Sequence, residues 1–210
     1  VFPVTFGMIV LLVLSLLVIF GVGQRVLDRM HLNDKWALVA MLAIFIGGFI
    51  PAIPIGNVRI GVGGCLVPLA ICVWVLVKAD SGQEVFRALF GAVLTAAAVW
   101  LISLLMPADP ESIVLDPNYA YGLAAGVLAY ILGRSRRAAF VCAVVGILLA
   151  DISVGVLNAA NGVDTLLRLG TGGALDAVVI SGLIAVLLAE FVGEAIERIA
   201  RGRRPAEGRE

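Results

Sequence analysis

An all-α, polytopic membrane bundle of about seven transmembrane helices, broken by a Pro/Gly-rich outer segment between the second and third, is the fold class the sequence predicts. Three observations predict it. Of 210 residues, 61% are hydrophobic and 14% charged, with a mean hydropathy of +1.09, where a soluble domain is about 45–50% apolar and about 25% charged. A chain of this length folded in water could not hide so much apolar surface. Apolar stretches approaching the roughly 20 residues that cross a bilayer recur along the chain. Finally, the cations divide very unevenly between alternate connecting segments.

Taken in order, Pro3–Gly23 is the first expected span. No Lys or Arg precedes it and no small-residue cleavage site follows it, so a retained span is expected rather than a signal peptide. The charged stretch Gln24–Lys35 leads to a second, short span, Trp36–Ile50. Two prolines in Pro51-Ala52-Ile53-Pro54-Ile55-Gly56 remove backbone donors and stop that helix. Asn57–Val62 alternates like a short strand. A third span restarts after Gly63-Gly64 and reaches Val77. Glu84–Met106 is the fourth, followed by the polar loop Pro107–Asn118. Tyr119–Gly133 is the fifth, Arg134–Arg137 a loop, Ala138–Leu157 the sixth and Ala174–Val192 the seventh, after a loop from Asn158 to Gly173. Residues 1–192 thus form a transmembrane domain, and 193–210 a charged cytoplasmic tail that frays into solvent.

Fifteen Lys and Arg balance fifteen Asp and Glu, which excludes a bulk basic footprint for nucleic acid. The chain is also far too apolar for disorder. Sorted by side, Arg25, Arg29, Lys35, Lys78, Arg87, Arg134, Arg136, Arg137 and the five tail arginines fall together, thirteen in all, against Arg59 and Arg168 alone. Cations flanking spans prefer the cytoplasm. The expected location is therefore a cytoplasmic membrane, amino end outside and carboxyl end inside, with the lipid bilayer as partner.

Cys65, Cys72 and Cys142 lie within expected spans, form no Cys-x-x-Cys pair, and suit small apolar packing. One histidine, His31, excludes a multi-His metal centre. No phosphate-binding loop ending in Gly-Lys-Ser/Thr occurs, and no cofactor is expected.

Two acids stand out. Asp151 lies well inside the sixth span and Asp176 in the first turn of the seventh. Ionisable groups in spans are costly and face a partner, a water cavity or a pathway. Antiparallel neighbours bring both carboxyls near one membrane face, where they can share a proton and act on a water molecule. The plainer expectations are a helix-capping role for Asp176, and for Asp151 a hydrogen bond to Ser153, Asn158 or backbone, or pairing with Arg59. Gly61-Val62-Gly63-Gly64-Cys65-Leu66 also matches Gly170-Thr171-Gly172-Gly173-Ala174-Leu175, each opening an inward-going helix. Spans one to three and five to seven then form parallel repeats, an arrangement met in secondary transporters. The acid is not duplicated, since Val67 stands where the second unit has Asp176.

At Gly63–Leu69, at Leu149-Ala150-Asp151, and from Gly172 to Asp176 with Ser181–Ala189, the chain resembles the uncharacterised prokaryotic membrane family called domain of unknown function 1614, over about residues 1–192. That resemblance implies a prokaryotic membrane protein and no particular activity. The two-aspartate arrangement is more distantly similar to presenilin-type intramembrane aspartyl proteases. Their Gly-x-Gly-Asp motif differs, because two residues here separate Gly173 from Asp176, and no Pro-Ala-Leu element follows. The leading expectation is an intramembrane aspartyl hydrolase acting on a membrane-protein substrate through Asp151 and Asp176. In it Gly170, Gly172 and Gly173 admit the substrate backbone, and Asn57 and Arg59 serve binding or gating. A proton-coupled transporter of a small solute is the alternative, and a non-catalytic scaffold the third.

Overall fold

The computed structural model describes residues 21, 34–79, 81–105, 117–133, 135–163 and 165–202. Apart from Gly21, the expected first span lies outside them, as do most of the loop at 107–118 and the last residues of the tail. The described residues hold six α-helices: α1 Asp34–Phe49, α2 Val67–Val77, α3 Gly82–Leu105, α4 Pro117–Gly133, α5 Arg136–Ala160 and α6 Ala177–Gly202. Two are long and apolar enough to cross a membrane, at Gly82–Leu104 and Arg136–Ala160.

The fold is mostly helical, but "all-α" needs correcting. Three strands, β1 Ile53–Ile55, β2 Val58–Ile60 and β3 Leu167–Leu169, form a sheet in the order β1-β2-β3. β1 and β2 are an antiparallel hairpin joined by Gly56-Asn57, with Ile55 opposite Val58 and Gly56 at φ 58°. A two-residue hairpin loop favours a residue with positive φ, which glycine supplies. Pro54 is tolerated because β1 is an edge strand. β2 and β3 are parallel, with Val58, Arg59 and Ile60 opposite Leu167, Arg168 and Leu169.

Each parallel strand leads through a glycine turn into a helix. After β2 the backbone makes a π-helical turn, Val62–Leu66, in which the N–H groups of Cys65 and Leu66 both donate to the Gly61 carbonyl at 3.2 Å. Helical backbone therefore starts at Val62, before the Gly63-Gly64 pair expected to precede it. Pro68 follows at the start of α2, where a missing N–H is tolerated. After β3 come Gly170 at φ 64° and a 3₁₀ turn, Gly173–Leu175, ahead of α6. The sheet offset equals the offset of the glycine repeat: Arg59 faces Arg168 as Gly61 matches Gly170 and Leu66 matches Leu175. The repeat is thus longer than its glycines and is held in register by backbone pairing. The Gly61 N–H donates to the Leu169 carbonyl at 2.8 Å, and the Leu167 N–H to the Asn57 carbonyl at 2.9 Å.

The core is centred on α5, whose Ala138–Val144 and Gly146–Leu148 are buried. Small residues let backbones approach, as in membrane helix packing generally. Gly146 lies against Thr95 of α3, Gly126 of α4 against Ile184 of α6, and Gly182 against Phe140. Outward, α3 exposes Phe86, Leu89, Phe90, Val93, Leu101 and Leu104, an apolar face suited to lipid. At the end away from the sheet, Ser135 Oγ accepts from the Ala138 N–H at 3.1 Å and donates to Glu84 Oε1 at 2.8 Å, while Arg137 donates to the Lys78 carbonyl at 3.2 Å. α6 continues to Gly202, past the Val192 limit set by hydropathy, so the first part of the expected fraying tail is helical.

The glycine turns make the tightest demands, a Cβ on Gly61 overlapping the Gly170 carbonyl most of all. A Cβ on Gly170 would overlap Gly64 and Cys65, and one on Gly63 would overlap the Ile44 carbonyl. Gly56 also has positive φ but open space around it. Gly170→Ala is therefore expected to cost at least about 3 kcal/mol, and Gly56→Ala about 1–2 kcal/mol of left-handed strain. Thermal unfolding in detergent checks the order; equal losses would contradict it.

Candidate functional site

The chain beyond α5 folds back along it. Leu167 packs against Gly155, where a Cβ would come within 3.0 Å of its side chain, and β3 then lies beside the last turns of α5. A cavity of about 290 Å³ opens between α3, α4, α5 and β3. Its polar and aromatic lining is Trp100 and Ser103 of α3, Tyr121 of α4, Asp151 and Asn158 of α5, Thr165 and, on β3, Arg168. Asp151 and Asn158 share a helix face because they are two turns apart. A second cavity of about 410 Å³ adjoins the first, shares Gly155, Thr165 and Leu167 with it, and includes Asn57.

Asp151 sits nine residues before Ala160, roughly 13 Å along the helix from its end. It has no hydrogen bond or ion pair among the described residues. Ser153 Oγ instead donates to the Leu149 carbonyl at 2.7 Å, and Asn158 lines the same cavity without bonding to Asp151. The expected pairing with Arg59 does not form among the described residues.

Asp176 is held quite differently. It directly precedes α6, with Oδ1 accepting from the Val178 N–H at 3.1 Å and Oδ2 from the Gly172 N–H at 2.9 Å. This is helix capping: the carboxylate satisfies backbone donors that a helix start leaves open. Asp176 acts electrostatically on Asp151, and both act on the Cys65 thiol. Sequence singled out both acids, but not that one would be committed to backbone and the other left facing a cavity.

The glycines have another use than the expected one. Gly170 is in backbone contact with Gly64 and Cys65, and Gly173 with Gly48 of α1, where a Cβ would come within 2.8 Å. Their close approach is filled by this chain's own backbone, and Gly172 faces Asp176. Arg59 lies beside Arg168 across the sheet, and Asn57 lines the second cavity. Trp100, Ser103, Tyr121 and Arg168 were not named as site residues from sequence. Arg168 could have been found by extending the glycine repeat upstream to Arg59; the others carry no local motif. Among the described residues no three His, Cys, Asp or Glu side chains gather as a metal-ligating group.

A mostly helical bundle with lipid-facing apolar surfaces, an ionisable group in a long apolar helix and strands folded back beside it defines an integral membrane protein. The family of YphA-like integral membrane proteins matches residues 26–204, and the chain belongs to it. No curated protein and no solved structure matches the chain.

The capping geometry makes a direct prediction. Asp176→Ala removes both acceptors and is expected to lower stability by about 1–2 kcal/mol. Asp176→Asn keeps one cap acceptor and costs less. Unfolding curves of the two variants in one detergent test the order, and a more damaging Asn would contradict the capping role.

Proposed function

We propose that this protein is a proton-coupled permease for a small solute, with Asp151 as the group that takes up and releases the proton. The observation that carries this proposal is Asp151 itself: an acid inside a long apolar helix, lining a cavity, with no hydrogen-bonding or ion-pairing partner among the described residues. An acid already committed to neighbouring donors resists protonation; one left to water and solute can exchange its proton with either. The paired strand–turn–helix units also support transport, because structural repeats with interrupted helices build solute sites in secondary transporters. In this assignment the thirteen-to-two division of cations turns the sheet outward from a prokaryotic cytoplasmic membrane.

A paired-acid hydrolase is the second proposal, favoured by the electrostatic proximity of Asp151 and Asp176. There the ionised Asp176, held by two N–H donors, takes a proton from water as its oxygen attacks a scissile carbonyl carbon. Asp151 gives its proton to the carbonyl oxygen. The two proposals make opposite demands on Asp176.

Proteoliposomes containing a trapped pH dye, exposed to succinate, glutamate or inorganic phosphate, separate them. The permease predicts solute-dependent acidification that falls to the protein-free background in Asp151→Asn and persists in Asp176→Asn. The hydrolase predicts cleavage of a reconstituted transmembrane peptide that falls about 100-fold or more in either variant. Solute-driven flux unchanged by Asp151→Asn would overturn the proton role.

A further inference from the structure

The sheet has one face in the core and one outside it. Val58, Ile60, Leu167 and Leu169 pack with the buried cluster, while Arg59 and Arg168 are exposed. Parallel register makes the two arginines direct partners, so their side chains leave the same face of adjacent strands about 5 Å apart. Like charges directly opposite destabilise a sheet, and among the described residues no acid forms an ion pair with either. The repeat thus puts two cations side by side where a neutral pair would serve the fold better. Arg168 also lines the cavity that holds Asp151, and Arg59 lies one strand away from it.

We propose that Arg59 and Arg168 form a two-armed clamp for an oxyanion, a carboxylate or phosphate group presented at the mouth of the Asp151 cavity. Two planar forks offer several N–H donors in the geometry that oxyanions accept, and a bound anion removes the repulsion between them. The anionic group belongs to a soluble solute or to a lipid headgroup; the chemistry at the clamp is the same. Its role as a solute's first contact rests on the permease proposal, whereas binding itself does not.

The test uses full-length protein in nanodiscs. In phosphatidylcholine discs, succinate and inorganic phosphate are titrated by calorimetry. In discs containing phosphatidylglycerol, the copurifying headgroups are counted. Binding of either probe, weakened about tenfold by Arg59→Gln and by Arg168→Gln and further by added salt, supports a soluble anion. Phosphatidylglycerol enrichment lost in both variants, without probe binding, supports a lipid phosphate. Arg59→Lys and Arg168→Lys should recover part of the affinity, since charge returns without the fork. Because both side chains are exposed, the Gln variants should unfold at or above the wild-type temperature, which excludes misfolding as the cause of any loss. Absence of probe binding and of lipid enrichment in wild-type protein overturns the clamp, as does binding indifferent to both Gln variants. If the clamp binds but no solute drives proton flux, the permease proposal fails and the clamp stands. If flux persists in the Arg59→Gln/Arg168→Gln double variant without binding loss, the clamp fails and the permease stands.

Discussion

Backbone meeting backbone at glycine is the contact on which the architecture depends. Gly170 rests on Gly64 and Cys65, Gly63 on the last turn of α1, and Gly173 on Gly48, each with no room for a Cβ. Irregular backbone inside a membrane protein must have its polar groups satisfied by protein or by a water-filled cavity. Here the two parallel strands satisfy each other, and the glycines let the turns behind them nest. Lost nesting would separate β2 from β3, and β3 carries Arg168 to the cavity where Asp151 lies.

The two acids show how local geometry divides labour between identical side chains. Asp176 closes a turn: backbone N–H groups take both its oxygens and thereby fix where α6 begins. Asp151 closes nothing among the described residues, and its carboxyl faces a cavity lined by indole, phenol, amide and guanidinium groups. Capping is a sufficient reason for an acid at a helix start, whereas an acid deep in an apolar helix has no such local use. That asymmetry is why the proposed chemistry is assigned to Asp151.

Much of this was legible in the sequence, for reasons that differ by element. Hydropathy located α3 and α5 because burial in lipid and burial in a core demand the same residues. The glycine repeat was visible from Gly61 and Gly170 onward, but β3 was not, because adjacent Leu166 and Leu167 break the alternation that Asn57–Val62 keeps. Pro54 read only as a helix stop, although an edge strand accommodates it and Gly56-Asn57 is a hairpin signal. α6 outran its expected end because a hydropathy limit ignores charged helix. Glu194 and Arg198, like Glu197 and Arg201, are spaced four apart, a charge pattern that favours continued helix. The cavity lining escaped altogether: Trp100, Ser103 and Tyr121 converge only through the packing of α3 and α4 around α5.

The parallel pairing of β2 with β3 holds the glycine turns, the arginines and Asp151 together, and cross-linking measures it most directly. In protein with Cys65, Cys72 and Cys142 replaced by alanine, the Arg59→Cys/Arg168→Cys double variant places thiols on direct Cα partners, within the roughly 4.4–6.8 Å that a disulfide spans. Pro54→Cys with Arg168→Cys spans two strand spacings, about 9.6 Å. Mild oxidation should join the first pair nearly completely and the second hardly at all. Failure of the first pair, or equal joining of both, would contradict the account.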